Sequence, residues 1–490
     1  MFGCFLLAFL PYAVSPEAEG VSSARLQSWI DACERRIDMV HGFVLLRHGK
    51  VVAEGSWKPY DTLNETHSLS SHSKCFITTA AGILVDEGRL DLDECVVDLL
   101  ADKVPANPSE HLRRVRVRDL LSMNMGGSVS DNWVSVPDGD CVKAILARQP
   151  DQRPGEYFHY DSGATHLLCA ILERKTGQPL MKFLQARLFG RLGIEKAWST
   201  YDPKGLACGG WGFNMTTREI CRIGQLYLDK GVWKGERIVS EDWATLATVK
   251  QTWTGKSPLE YRTNKSDWVQ GFGFNFWRCQ HGFYRADGAG GQFTIVMPRH
   301  DAVLSINSDV MDMQHVLDVV WEDFLPCLSE TALPEDAAAA AALKTRCANL
   351  ALKPVEGRRD GGEKFLGLSF AFENAPTALK GVRMTRAEDG WRLALTTEAG
   401  TFELPVGYNE WMQGTMRFTD WKYADSGRIV GTQRMASSAA VQQDGSVRVR
   451  ILRLGGARRI DLHFRSKFFK PVVLGEVAGV SKEPFVGRPD

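Results

Sequence analysis

Strand-forming runs lie at both ends of a long helical region, and this arrangement constrains the fold of the chain most strongly. The stretch "HGFVLLRHGKVVAEG" (residues 41–55) has two apolar runs around a His-Gly turn, which is typical of a β-hairpin. Similar runs return at residues 272–278, 291–298 and 301–307. Between them the pattern is helical, and several segments end in glycine, as helix C-termini do. We therefore predict one mostly antiparallel sheet, built from strands distant in sequence, with a helical subdomain inserted.

The chain is long enough for more than one domain. Its 490 residues exceed the usual size of a single hydrophobic core. The stretch 334–352 begins with "PED", a helix-start signal, and continues through an alanine run, which favours a connecting helix. Beyond it come short alternating runs such as "SVRVRILRL", typical of a small all-β domain. The predicted division is an apolar segment without an assigned role at 1–14, an α+β domain at 15–330, a helical connector at 331–362 and a β-sandwich or barrel at 363–490.

Charge and cysteine content exclude several classes of protein. Basic and acidic residues number 59 each, and no run of like charge stands out, so we expect no nucleic-acid partner. Eleven cysteines, without C-x-x-C pairs or Cys/His clusters at zinc spacing, indicate neither a disulfide framework nor a metal site. The apolar start of the chain lacks a basic flank and is too short to span a bilayer, so we expect no membrane span and a cytoplasmic protein.

A serine and a lysine three residues apart open the first helical segment after the hairpin. In "SLSSHSKC", Ser71 and Lys74 would lie on one face of a helix, where the amine can reach the hydroxyl. A serine hydroxyl is a poor nucleophile until a base takes its proton, and a lysine can be that base. The helix N-terminus adds backbone N–H groups that favour a developing oxyanion. The pair therefore predicts a nucleophilic serine with a lysine as its general base.

Four longer segments carry a family resemblance. They are "SLSSHSKCFITTAAGILVDEGRLDLDECV", "VRVRDLLSMNMGG", "FHYDSGATHLLCAILERKTGQPLMKFLQARLFGRLGI" and "GGWGFNMTTREICRIGQLYLDKGVWKGERIVSEDW". From Pro11 to Leu325 the chain resembles the class C β-lactamase-related serine hydrolases, a group with penicillin-binding carboxypeptidases, D-aminopeptidases, family VIII esterases and amide-oligomer hydrolases. The resemblance implies a β-lactamase/transpeptidase-like fold. It also implies hydrolysis of a small-molecule ester, amide or peptide through an acyl-enzyme, without a metal or organic cofactor.

The second motif of that family is Y-x-N, whose tyrosine takes part in proton transfer. "FHYDSG" places Tyr160 in that role, with Ser162 where asparagine is usual. A hydroxyl then replaces the amide that would orient a substrate amide or the lysine. This departure weakens the expectation of β-lactam or peptide recognition more than that of ester or small-amide hydrolysis.

The family's third motif, K-T-G or H-x-G on a strand beside the nucleophile, falls by position on "YRADGAGGQFTIVMP". The resemblance assigns substrate binding here to Ala286, Asp287, Gly288, Ala289 and Gly290. Alanine replaces the usual cation, and Asp287 would repel a substrate carboxylate unless Arg285 reaches it. Backbone N–H groups of the nucleophile and of segment 288–291 are expected to hold the oxyanion.

Two other triplets match motifs of penicillin-recognising enzymes, but each lies in a different kind of secondary structure from the motif that it matches. The S-D-N triplet at Ser130 lies in a Gly/Ser/Asp-rich stretch that favours a loop. The K-T-G triplet at Lys175 ends a helical run, where Gly177 is interpreted as a C-cap, whereas a functional K-T-G lies on a strand. Two alternatives stay open. One is a sensor that is acylated without turnover, suggested by Ser162 and Ala286, and the other is a partner-binding role of the C-terminal β domain.

Overall fold

The computed structural model describes most of the chain. The described residues are 10–127, 136, 138–255, 260, 263–372, 375, 379–388, 390–397, 400–419, 429–467, 470–477 and 484–489. Contacts divide the chain into two units. One comprises Met1–Ser56, Thr62–Ser308 and Asp312–Asn349, and the other comprises Trp57–Asp61, Asp309–Met311 and Leu350–Asp490. Among the described residues, no helix is both long and apolar enough to cross a membrane.

The main sheet of the first unit confirms the predicted antiparallel arrangement of sequence-distant strands. Its strands are β1 (Val40–Arg47), β2 (Lys50–Ser56), β8 (Trp277–Arg278), β9 (Tyr284–Gly288), β10 (Gln292–Met297) and β11 (Ala302–Ser308). Within the described residues their order is β2-β1-β11-β10-β9-β8, and each neighbouring pair is antiparallel. Strands β1, β10 and β11 are buried along their whole length, which explains their continuous apolar runs.

The predicted strand at 272–278 is shorter in the structure. Within that run, the residues that pair as a regular strand are Trp277 and Arg278. Phe272 forms isolated bridges instead, with Thr252 and with Trp277. Asn275 has φ of 59°, in the left-handed region, which interrupts an extended chain. The apolar composition of this run therefore reflects burial in a bent segment.

The region between β2 and β8 is mainly helical, as the sequence predicts, and it also contains short strands that the sequence did not predict. Within the described residues, the helices of the first unit up to β8 are α1 (Ser23–Arg36), which precedes β1, and α2 (Lys74–Asp86), α3 (Val96–Leu99), α4 (Glu110–Arg114), α5 (Val117–Leu121), α6 (Cys141–Ala147), α7 (Ser162–Thr176), α8 (Leu180–Leu184), α9 (Gly190–Leu192), α10 (Thr217–Leu228) and α11 (Glu241–Thr248). The short strands are β3 (His67–Ser68), β4 (Trp198–Ser199), β5 (Phe213–Met215), β6 (Val232–Trp233) and β7 (Glu236–Arg237). Helices Met313–Val319 and Ala337–Ala348 follow the sheet, and Asp336 caps the alanine-rich one.

The second unit contains a closed β-barrel. Its strands are β12 (Ser369–Phe372), β13 (Leu379–Ala387), β14 (Gly390–Thr397), β15 (Gly400–Tyr408), β16 (Met412–Thr419), β17 (Ile429–Val441), β18 (Val447–Arg453), β19 (Arg459–Lys467), β20 (Lys470–Val477) and β21 (Phe485–Pro489). A pairing of β15 with β17 closes the sheet. Along β18, Val447 and Val449 face the core whereas Arg448 is exposed, as period-two alternation requires. The sequence left a sandwich or a barrel open, and the structure shows the barrel.

Candidate active site

Ser71 lies in a single helical turn, Ser70–Ser73, directly before α2. Lys74 is the first residue of α2, so the two side chains share one face of the turn. The Lys74 Nζ atom donates a hydrogen bond to Ser71 Oγ at 2.9 Å. Ser70 has φ of 49°, a left-handed conformation that is uncommon for serine and sharpens the turn before the nucleophile. The structure thus brings together the pair that the sequence singled out.

The lysine side chain is held from two further directions. Lys74 Nζ also donates to Ser162 Oγ at 3.1 Å and to the backbone carbonyl of Gly210 at 2.6 Å. The side chain is 1% exposed. A carbonyl oxygen can only accept, so the Gly210 contact fixes one N–H of the amine. The remaining contacts, to two hydroxyls, can be reversed, because a hydroxyl both donates and accepts.

Tyr160 lies against the same serine. Its phenol is hydrogen bonded to Ser71, and its ring centre lies 5.0 Å from Lys74 Nζ. Burial raises the pKa of the Tyr160 phenol above its usual value, and the hydrogen bond to Ser71 only partly opposes this effect. The ring stacks on Trp277, with centroids 5.8 Å apart. The Tyr160 phenol therefore lies between Ser71, Lys74 and an aromatic ring.

Ser162 begins α7, and its position depends on the residue before it. Asp161 caps the helix by accepting from the Gly163 N–H at 2.7 Å, and it forms an ion pair with Arg148 at 2.9 Å. These contacts fix the first turn of α7, where the Ser162 hydroxyl meets Lys74. The hydroxyl thus keeps a contact to the lysine although it lacks the amide usual at this position.

The segment to which the resemblance assigns the third motif runs along β9 and just beyond it, and it passes very close to the turn that carries Ser71. A Cβ atom at Gly288 would lie 2.0 Å from the Leu69 carbonyl oxygen and 3.0 Å from the His72 nitrogen. Glycine is therefore required there, and the segment after it lies beside the turn that carries Ser71. Ala289 is exposed, and Gly290 has φ of 86°.

The side chains before Gly288 alternate between the faces of β9. Arg285 and Asp287 are on one face and form an ion pair at 2.8 Å, so Arg285 does reach the carboxylate. Ala286 is buried and belongs to the opposite face, away from Asp287. Burial raises the pKa of the Asp287 carboxyl, and the neighbouring Arg285 and Lys74 oppose that shift. The site therefore has a buried carboxylate that is already paired with a cation.

Two tryptophan rings lie beside the arginine of this ion pair. The Arg285 guanidinium lies 4.4 Å from the centre of the Trp268 ring and 5.6 Å from that of Trp277. Its Nη1 donates to the backbone carbonyls of Asp267 and Arg278, at 3.2 and 3.3 Å. The Arg285 side chain is therefore held both by cation–π contacts with these rings and by hydrogen bonds to backbone carbonyls.

One contributor to the site escaped sequence reasoning, and one of the two competing triplets, at Lys175, lies at a helix end. The Gly210 carbonyl binds Lys74 through the backbone, so no residue type could have revealed it. Lys175 lies in the last turn of α7, pairs with Glu94 at 2.5 Å, and precedes a left-handed Gly177, which confirms the helix-end interpretation. Ser130 lies outside the described residues.

Comparison with known proteins places this geometry in a family. A family model described as Beta-lactamase matches residues 33–318. The 6-aminohexanoate-dimer hydrolase of Paenarthrobacter ureafaciens is 30% identical over 221 residues, which are 41% of this chain and 55% of that relative. This chain therefore spans about half the length of that curated relative.

Solved structures extend the comparison at the level of fold. A penicillin-binding protein homologue from Caulobacter crescentus superimposes with a TM-score of 0.50 at 16% identity, over 63% of this chain and 99% of that one. The structure of SurE with D-Leu superimposes with a TM-score of 0.50 at 16% identity, over 95% of this chain and 99% of that one. The second match includes the barrel region as well as the catalytic region.

Proposed function

The chain belongs to the beta-lactamase family, and we propose that it is a serine hydrolase that cleaves a small ester or amide through an acyl-enzyme. The observation that carries the proposal is the contact of Lys74 with both Ser71 and Ser162, with Tyr160 hydrogen bonded to the same serine. A nucleophile, a base and a second proton carrier then lie within reach of one reacting carbonyl.

The arrangement suits a neutral Lys74 as the base. A neutral amine has two N–H groups and one lone pair. It can keep donating to the Gly210 carbonyl and to Ser162 Oγ while its lone pair accepts the Ser71 proton. The lone pair then points along the 2.9 Å contact to Ser71 Oγ, which is the contact the reaction needs.

Two chemical steps follow from this geometry. In acylation, Ser71 Oγ bonds to the substrate carbonyl carbon, its proton passes to Lys74, and the bond to the leaving group breaks. Tyr160 relays a proton to the departing alcohol or amine. In deacylation, the oxygen of a water molecule bonds to the acyl carbon while the same groups accept the water proton. The bond between the acyl carbon and Ser71 Oγ then breaks, and the proton returns to Ser71 Oγ as the acid product leaves. Backbone N–H groups of Ser71 and of segment 288–291 would hold the oxyanion in both steps.

The charges at the segment assigned to the third motif determine which substrates we propose. Where the resemblance predicts a cation, this site carries Ala286, and the charge of the neighbouring Asp287 is paired with Arg285. A substrate carboxylate would find no uncompensated positive charge at this position. We therefore expect uncharged esters and small amides to be better substrates than peptides ending in a carboxylate or cephalosporins. The relative named 6-aminohexanoate-dimer hydrolase supports cleavage of a small amide, but it does not support the preference for uncharged substrates, because an aminohexanoate dimer ends in a carboxylate.

Labelling and turnover test the proposal. A fluorophosphonate should modify one residue, Ser71, and the label should vanish in Ser71→Ala but persist in Ser130→Ala, the serine of the competing triplet. An activated ester should give steady turnover after any initial burst. An adduct on another serine, or no adduct, would remove the basis of the mechanism.

A sensor that is acylated without turnover is the second candidate. It is favoured by the hydroxyl at Ser162, which replaces an amide that orients the substrate or the lysine. The same ester assay separates the two functions, because a sensor stops after one equivalent of product. Substrates for the screen are activated esters, D-amino-acid amides, D-Ala-D-Ala peptides and a chromogenic cephalosporin.

A further inference from the structure

A second group of reactive side chains lies near the catalytic one but takes no part in it. Cys141, His166 and Asp202 are all buried, and one donor atom of each lies within 4.8 Å of the others. A search of the described residues for three or more His, Cys, Asp or Glu side chains that could bind one metal ion together finds this group. The three residues come from separate segments, so their spacing in the sequence gave no signal.

The carboxylate of Asp202 is oriented by its own loop. Its Oδ1 atom accepts hydrogen bonds from the backbone N–H groups of Lys204 and Leu206, each at 2.9 Å. This leaves Oδ2 directed toward His166, whose Nε2 lies 3.0 Å away. Support of this kind, in which backbone groups fix a carboxylate oxygen, is typical of the surroundings of metal ligands.

His166 and Cys141 are placed by two packed helices. His166 lies on α7, four residues after Ser162 and therefore on the same side of that helix. The centre of its ring lies 5.7 Å from that of the Trp211 ring. Cys141 is the first residue of α6, which packs against α7.

The donor set is one sulfur, one nitrogen and one oxygen. This combination suits Zn²⁺, which binds thiolate, imidazole and carboxylate, whereas Mg²⁺ and Ca²⁺ prefer oxygen alone. Tetrahedral zinc with bonds of about 2.0–2.3 Å places its ligands about 3.3–3.7 Å apart. The His166–Asp202 distance of 3.0 Å is already close to that value. A shift of about 1 Å would bring a donor separation of 4.8 Å into range.

Two loops flank the group, one before Cys141 and one after Asp202. A Cβ atom at Gly139 would lie 2.7 Å from Pro203, so the loops before Cys141 and after Asp202 touch each other. Pro203, Lys204 and Gly205 are exposed.

We propose that Cys141, His166 and Asp202 bind a zinc-like divalent ion, with water as the fourth ligand. The ion would crosslink α6, α7 and the 202–206 loop, directly beneath the turn of α7 that presents Ser162. The site is independent of the acyl-enzyme proposal, because it shares no side chain with that mechanism. The alternative is a metal-free Asp–His–Cys hydrogen-bond network.

Cobalt serves as the probe that separates these two states. Full-length protein is stripped of metal with a chelator, titrated with Co²⁺ and followed by absorption. We expect one equivalent to bind, with a thiolate-to-cobalt charge-transfer band and the visible bands of a four-coordinate ion. Added Zn²⁺ should displace the cobalt and raise the melting temperature of the stripped protein.

Variants then assign the ligands. Cys141→Ser should lose the charge-transfer band, and Asp202→Asn should weaken cobalt binding at least tenfold. Cys169→Ser is the matched control, because this cysteine lies on the same helix as His166 and is equally buried but outside the group, and it should keep the band. Absence of stoichiometric cobalt in the unmodified protein, or an unchanged band in folded Cys141→Ser, would overturn the proposal. These results do not depend on hydrolytic activity, so they stand whether or not Ser71 is the nucleophile.

Discussion

The backbone at Gly288 lies so close to the backbone of Leu69 that a Cβ atom at residue 288 would be 2.0 Å from the Leu69 carbonyl oxygen. This approach of β9 to the turn that carries Ser71 sets the distance between the nucleophile and the proposed oxyanion donors. The obstructing atom belongs to the backbone, so it cannot rotate away as a side chain would.

Gly288→Ala should therefore separate the strand from the nucleophile turn. We expect a loss of about 1–3 kcal/mol in the free energy of unfolding, because extra atoms in a packed interior force backbone shifts. We also expect kcat/KM on an activated ester to fall by about 100-fold or more, since oxyanion donors act over short distances. Urea unfolding and steady-state kinetics measure the two effects.

Gly127→Ala is the matched control for this change. A Cβ atom there would lie 3.6 Å from the nearest heavy atom, an ordinary contact distance. Its stability and activity should stay close to those of the unmodified protein. Full activity in Gly288→Ala would show that the segment after residue 288 has no part in oxyanion binding.

Lys74 and Tyr160 should act as one proton-transfer unit. Each contacts Ser71 directly, so Lys74→Ala and Tyr160→Phe should each lower the acylation rate by about 100- to 10,000-fold. The double variant should lose little more than the worse single variant, because residues that act together are not additive. Rapid-mixing kinetics on one activated ester measure the step.

Lys175→Ala serves as the control for that series. Lys175 lies at the end of α7 in an ion pair with Glu94, so its loss should cost about 0.5 kcal/mol of stability and leave acylation nearly unchanged. If the loss in Tyr160→Phe were equally small, the tyrosine would have no role in proton transfer.

The hydroxyl of Ser162 should hold Lys74 in place. Ser162→Ala removes the 3.1 Å contact and should lower kcat by about tenfold, which corresponds to the loss of one hydrogen bond. Ser162→Asn restores the residue usual in the family and should recover kcat, with a gain for amides relative to esters. An unchanged kcat in Ser162→Ala would show that Lys74 needs no support from α7.

The sequence predicted the parts of this site that depend on local geometry. Ser71 and Lys74 are three residues apart on one turn, so helix periodicity alone placed the amine beside the hydroxyl. The helical end at Lys175 followed from the glycine after it. The hairpin and the late strands were visible because their apolar runs are long and bounded by turn residues.

Other parts of the site depend on tertiary contacts and left no local signal. The Gly210 carbonyl acts through the backbone, and the group of Cys141, His166 and Asp202 joins three segments that are distant in sequence. The strand predicted at 272–278 was too long because Asn275 adopts a left-handed conformation that composition did not reveal. Closure of the barrel likewise rests on the pairing of β15 with β17, which single-strand patterns cannot show.

His72, the neighbour of the nucleophile, should make stability depend on pH. It is fully buried and hydrogen bonds to Thr294 through Nε2 at 2.8 Å. Burial lowers the pKa of His72 to about 3. An unfolded histidine takes up a proton near pH 6.5, so between about pH 6.5 and 3 the unfolded state binds more protons than the folded one. The free energy of unfolding should therefore decrease as the pH falls through this window.

The size of the effect follows from the same linkage. Between pH 7 and pH 5, His72 should account for a loss of about 2 kcal/mol in the free energy of unfolding. His72→Gln can keep a donor toward Thr294 but does not titrate, so urea unfolding at the two pH values should show a smaller decrease in this variant. His159→Gln is the matched control for replacing a histidine by glutamine, because His159 is exposed. An equal decrease in His72→Gln and in the unmodified protein would show that His72 is protonated in the folded state, which would place a charge directly beside Ser71.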